Sequence, residues 1–189
     1  GSLYNAHKLF ICGKKVTPEN ILDLSIVMKS GPLANLNNLL LMRNEIDDAG
    51  MNALSDIIAE GALANLKFLN ITFNKISKAG MNAFAKAMGS LGNLNKLVLD
   101  QNEIDEDGMK VFASAIASGG LGNLTTLHLL GNNIGDEGMK VLSDAITNGA
   151  LASLELLMVD DGIEVHDSAL GSEHPQLKAA CEARGIRLR

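Results

Sequence analysis

The sequence predicts an α/β solenoid in which about six short parallel strands line one side and each is followed by a helix on the other. Three observations predict it. Near-copies of one unit begin at Leu36, Leu66, Leu94, Leu124 and Leu154, spaced by 30, 28, 30 and 30 residues, and self-similarity at such a period marks a repeat architecture. Each unit also changes period part-way, from strand-like alternation to apolar residues at helical intervals. At the change, Asn44, Asn74, Asn102 and Asn132 occupy one slot. A buried amide must be satisfied, and one repeated there can bond the turning backbone around it.

The elements follow in order. Stepping back 30 residues from Leu36 finds a degenerate first unit, AHKLFICGKKVTPEN, from Ala6. Its strand leads to Thr17 as helix cap, with Pro18 at the first helical position. The second unit, LNNLLLMRNEIDDAGM, turns Leu39 and Leu41 inward and caps its helix with Asp47. Its helix carries Gly50, Leu54, Ile57 and Ile58 on one face. The third, LKFLNITFNKISKAGM, offers Ser77 as cap, and the fourth, LNKLVLDQNEIDEDGM, offers Asp105; all three are favoured cap residues. The 28-residue spacing arises because MGSLGNL lacks two residues present in IAEGALANL. A fifth unit opens LTTLHLLGNNIGDEGM, and a sixth, LELLMVDDGIE, departs from the pattern. Gly61, Gly119 and Gly149 are expected to end helices. Met51, Met81, Met109 and Met139 are expected to pack between adjacent helices. The organisation is then an N-terminal edge over 1–5, with Gly1-Ser2 reading as a cloning remnant, an array over 6–160, and a linker and C-terminal cap over 161–189. In the cap, Pro175 to Arg184 predicts a helix stopped by Gly185, and Ile186-Arg187-Leu188 a last strand.

The pattern LxxLxLxxNxIxxxGxxxLxxAI, over roughly Ala6 to Asp160, resembles leucine-rich repeats. It is closest in kind to the long-repeat class of ribonuclease inhibitor, and is similar to the Ran GTPase-activating protein and to NOD-like receptor arrays. The resemblance implies a curved solenoid with a parallel sheet on the concave side, helices on the convex side, and a protein-binding role. Lys14 and Gly162 stand where the Asn belongs and Asn20 where the helix glycine belongs, as edge repeats would allow.

Several function classes lose ground. The net charge of −6 argues against nucleic acid, which needs a basic stripe. No apolar run approaches the ~20 residues of a membrane span. Two cysteines, Cys12 and Cys181, make no disulfide framework and favour an intracellular, cytoplasmic setting; across the solenoid they should lie on the order of 25–30 Å apart. The acidic stretch LVLDQNEIDEDGM invites a calcium-loop reading, but counting from Asp100 places Ile104 at position five and Asp105 at position six. An EF-hand needs an oxygen ligand and a glycine there. Asp105, Glu106 and Asp107 read instead as a helix cap and first turn, where the macrodipole favours negative charge. The four histidines fall in four different settings and none sits beside a nucleophile as acyl-transfer chemistry requires. No enzyme, metal or cofactor is expected.

The binding surface follows from strand alternation. Three outward rows are expected: Lys8, Asn38, Phe68, Lys96, Thr126, Leu156; Phe10, Leu40, Asn70, Val98, His128, Met158; and Cys12, Met42, Thr72, Asp100, Leu130, Asp160. Arg43, Phe73, Gln101 and Asp161 lie just beyond. Eight of these 18 row positions are large and apolar, and contiguous exposed apolar surface marks interaction sites. A protein partner is expected there, with Leu40, Met42, Phe68 and Val98 as central anchors and Leu130 and Met158 extending them. Arg43, Lys96, Asp100 and His128 are the expected polar orienters. Leu22 and Ile26 are apolar where later units are polar, which predicts an N-terminal edge covered either by a preceding segment of a larger protein or by self-association as a homodimer. A small-GTPase regulator is the alternative the resemblance suggests, and it would need Arg43. A purely structural, self-associating element is the other.

Overall fold

A strand of three residues, an asparagine-held turn and a helix make up each unit. The computed structural model describes residues 6–29, 33–159 and 174–189. The units run β1 (Lys8–Phe10) and α1 (Pro18–Lys29), β2 (Asn38–Leu40) and α2 (Asp48–Ala59), β3 (Phe68–Asn70) and α3 (Lys78–Ala87), β4 (Lys96–Val98) and α4 (Glu106–Ala117). They continue with β5 (Thr126–His128) and α5 (Gly135–Thr147), then β6 (Leu156–Met158), α6 (Pro175–Ala183) and β7 (Arg187–Leu188). All seven strands form one parallel sheet in sequence order. The chain is an α/β solenoid whose described sheet runs from β1 at one edge to β7 at the other.

The core lies between sheet and helices. Leu39, Leu69, Leu97, Leu127 and Leu157 are fully buried in one row, each worth about 1.5–3 kcal/mol relative to exposure. The four methionines after the helix glycines are buried too, as gap-filling between helices requires. Gly80 is needed for contact rather than for a special dihedral. A Cβ there would fall 2.6 Å from Asp48 Oδ1 and 2.9 Å from Ile76 Cγ2. The short fourth-unit spacing is absorbed by a 3-10 turn over Met88–Ser90, which keeps Met88 in the core.

The asparagines form a ladder through the turns. Asn102 Nδ2 donates to the carbonyls of Ile71 and Leu99, both at 3.0 Å, while its Oδ1 accepts from Ile76 N–H at 3.2 Å. Asn74 and Asn132 repeat the arrangement one unit earlier and later. Asn44 stitches the degenerate first unit by accepting from Lys14 and Val16 N–H. Asp47 and Asp105 cap their helices by accepting from Gly50 and Gly108 N–H. Ser77 does not cap as expected. It holds the N-cap position of α3, but its hydroxyl donates to Asp48 Oδ2 at 2.6 Å. Asp48, on the preceding helix, accepts from Ser77 N–H and Gly80 N–H, both at 2.8 Å. The stronger, charged acceptor has displaced the local hydroxyl.

At the C-terminal end α6 ends at Ala183, one residue earlier than expected, and Gly185 follows with φ 67°. The Arg184 guanidinium donates to the carbonyls of Ile146 and Ala150 at 2.8 and 2.7 Å. It thereby fastens the cap to the carbonyl end of α5, where a cation is also favoured by the helix dipole.

Candidate functional site

The parallel register sets like positions abreast. Lys8, Asn38, Phe68, Lys96, Thr126 and Leu156 form one row, and Phe10, Leu40, Asn70, Val98, His128 and Met158 the next. Since alternate residues change face and the intervening leucine row is in the core, both rows lie on the face turned away from the helices, the side expected to be concave. The third expected row continues past the strand ends as Cys12, Met42, Thr72, Asp100 and Leu130, all half-buried; Asp160 and Asp161 lie outside the described residues. Leu40, Met42, Phe68, Lys96, His128, Leu130 and Met158 are half-buried on this face, and Arg43 is exposed at its rim. The anchor expected at Val98 is corrected: only 5% of it is exposed. It sits between Asn70 and His128 in its row, so it belongs to the packed floor and offers a partner little area.

Asp100, expected as a polar orienter, is also engaged within the chain. Its Oδ1 accepts from Leu130 N–H at 2.8 Å, holding the turn of the next unit, and its Oδ2 is 3.6 Å from His128 Nδ1. The imidazole pKa lies below its ordinary value because burial penalises the charged form, which outweighs the opposing pull of the Asp100 carboxylate. His128 Nε2 and Thr72 Oγ1 are buried without a hydrogen-bond partner. These are two unmet polar atoms in the floor of the face.

The rim holds the residues expected just beyond the third row. Arg43, Phe73 and Gln101 occupy one slot with φ of 53–54°, while Gly13 and Gly131 fill it at either end with φ 63° and 66°. A left-handed conformation costs a side-chain-bearing residue about 1–2 kcal/mol. The result is an exposed ridge: the Arg43 guanidinium lies 4.9 Å from the Phe73 ring centroid, and Gln101 lies across Gly131. In the first row Lys96 Nζ lies 5.4 Å from the Phe68 centroid. Phe73 is 46% exposed and Phe10 62%. The sequence signal for the left-handed backbone of this slot was the glycine at both of its ends. A residue that sequence reasoning missed is Arg187, which β7 aligns with Leu156 and so adds to the first row.

The other expectations divide. Ile26 on α1 is 65% exposed, as a self-association edge would require, whereas the side chain of Leu22 lies outside the described residues. Cys181 is buried, and burial pushes its thiol pKa up to about 11, with the Arg184 charge opposing. Cys12 is half-buried and both thiols are free. Among the described residues no group of three or more His, Cys, Asp or Glu is placed to hold a metal ion, and no helix is long and apolar enough to cross a membrane. Grooves occur between helices on the convex side, one of about 440 Å³ between α3 and α4 lined by Lys86, Lys110 and Val111 among others.

Comparison with known proteins agrees at the level of the repeat. The leucine-rich-repeat family model matches residues 62–85 and 123–143, the segments that hold β3 with most of α3 and β5 with most of α5. No curated protein matches the chain. Among solved structures, an internalin (inlF) from Listeria monocytogenes is similar at 20% identity with a TM-score of 0.41. That similarity covers 86% of this chain and 49% of the internalin chain, so this chain spans about half the length of that structure.

Proposed function

We propose that this chain is a non-catalytic protein-binding scaffold whose partner docks on the concave sheet face, centred on the second to fifth units. One observation carries the reading. Phe10, Leu40, Met42, Phe68, Phe73 and Leu130 stay wholly or partly exposed on one rigid surface, although a sheet face turned to water needs no such side chains. Aromatic anchors with a stacked cation are the composition that dominates interface energetics. Units of 28–30 residues carrying full helices favour the ribonuclease-inhibitor-like long-repeat class, and two free thiols favour a reducing, intracellular setting. The GTPase-regulator alternative gains nothing, because Arg43, the arginine it would use, is stacked on Phe73.

The test is paired affinity capture. Immobilised parent chain, a Leu40→Asp/Phe68→Ala variant and a convex Lys86→Glu/Lys140→Glu variant are incubated with one extract. A protein held by the parent and the convex variant should fall at least about tenfold on the concave variant, as for loss of a hot spot. Unchanged far-UV circular dichroism confirms folding. Equal retention of the same protein by all three would overturn the concave reading.

A further inference from the structure

Among the described residues, the charge on the concave face is opposite in sign to that of the chain. The whole sequence carries −6, yet the described concave positions hold Lys8, Arg43, Lys96 and Arg187 against the single carboxylate of Asp100. That carboxylate is already engaged by Leu130 N–H and faces His128. The acids gather instead at helix starts, as at Asp47, Asp48, Asp105 to Asp107, Asp136 and Glu137.

The cations are also evenly placed. In the first row, Lys8 on β1, Lys96 on β4 and Arg187 on β7 are each separated by three strand steps. At about 4.8 Å per step that is roughly 14 Å. An extended chain advances about 3.3–3.6 Å per residue, so roughly four of its residues cover one interval. Residues four apart in an extended segment point the same way, and the residue midway between them does too. The midway positions fall between Asn38 and Phe68 on one side of Lys96 and between Thr126 and Leu156 on the other, within reach of the one large apolar side chain in each pair.

We propose that the partner presents an extended acidic segment that crosses the strands along this row, with a carboxylate at every fourth residue and an apolar side chain midway between. This rests on the concave-face reading above and narrows it to one partner chemistry. The carboxylates pair with Lys8, Lys96 and Arg187, and the apolar side chains cover Phe68 and Leu156. A nucleic acid fits less well, since a continuous polyanion would meet three widely spaced cations on a chain whose other surfaces repel it.

The experiment uses the full chain and fluorescein-labelled peptides in an anisotropy titration. The probe is ETVTETVTE, its basic counterpart is KTVTKTVTK, and EEETTVVTT keeps composition while breaking the spacing. At about 50 mM salt the first should bind at least roughly tenfold tighter than either of the others, and it should weaken at about 500 mM as screening grows. Exposed ion pairs are individually small, about two- to fivefold in affinity, so Lys8→Glu/Lys96→Glu/Arg187→Glu together should lower binding by roughly tenfold or more. The convex Lys86→Glu/Lys140→Glu variant should not. Several results overturn the proposal: no binding of the acidic probe, equal binding of the basic or rearranged peptide, indifference to the triple substitution, or tighter binding of a nine-nucleotide oligothymidylate. None of these touches the capture experiment, which decides the concave reading separately.

Discussion

Replacing Asn102 by alanine and by aspartate separates the two halves of the amide's work in the ladder. Alanine removes both, yet most of the loss is cushioned. Ile71 O keeps Asn74 Nδ2 at 2.9 Å and Leu99 O keeps Asn132 Nδ2 at 3.1 Å. Only the Ile76 N–H is left buried without its partner, a loss of about 1–3 kcal/mol. For a chain of this size about 2 kcal/mol lowers Tm by roughly 4–8 °C. Asparagine to aspartate keeps the acceptor for Ile76 but points a second oxygen at the carbonyls of Ile71, Leu99 and Asp100, now 3.0–3.2 Å from Nδ2. An uncompensated buried charge costs about 3–5 kcal/mol, so near pH 7 Asn102→Asp should be the worse variant. Its carboxyl is held protonated, because only the protonated form can donate to those carbonyls. The folded pKa therefore rises above the unfolded ~3.9. With the folded pKa raised, the deficit is small below about pH 4 and grows as the unfolded chain ionises first. Urea midpoints of parent and both variants at about pH 4 and pH 7 decide the matter. A pH-independent deficit for Asn102→Asp, or equal losses for the two variants near pH 7, would refute the ladder as described.

Two further outcomes follow from the same geometry. Asp48→Ala, which strips the acceptor of three bonds at the start of α3, should cost about 2 kcal/mol, at the upper end for a helix cap. Ser77→Ala should cost less than half of that; equal losses in urea melts would return the cap to Ser77. His128 has a folded pKa below its ordinary 6.5, so its neutral form stabilises the fold above about pH 6.5 and that contribution is lost as pH falls through the folded value. The parent should therefore lose more stability between about pH 7 and pH 5 than His128→Gln, and equal losses would show that the ring is not held neutral by its burial.

The repeat made the fold legible. Wherever a position recurred through the central units, as with the leucines of the core row, the helix glycines and the ladder asparagines, sequence alone placed it correctly. What it missed was set between units. Asp48 outcompetes Ser77 because the preceding helix brings a carboxylate to α3, a contact no local cap rule contains. Val98 reads as an outward strand residue, and it is one, but its row neighbours Asn70 and His128 leave only 5% of it exposed. The acceptor duty of Asp100 was not legible because its donor lies 30 residues away, at Leu130 N–H. Arg187 joins the first row only once β7 is seen to pair with β6.

The rim slot shows how the same backbone demand is met differently along the array. The chain must turn sharply after each strand so that the asparagine reaches the neighbouring carbonyls, and the turn puts one residue in the left-handed region. Glycine meets that demand without strain at Gly13 and Gly131, whereas Arg43, Phe73 and Gln101 meet it with long side chains at about 1–2 kcal/mol each. The ladder bonds around them are strong enough to hold that conformation, so the strain is not relieved by refolding of the turn. Local strain retained where an unstrained residue would fit is a mark of function. In these central units its product is an exposed guanidinium stacked on an exposed ring, at the rim of the same face. The strained slot therefore borders the proposed binding face, in the second to fourth units.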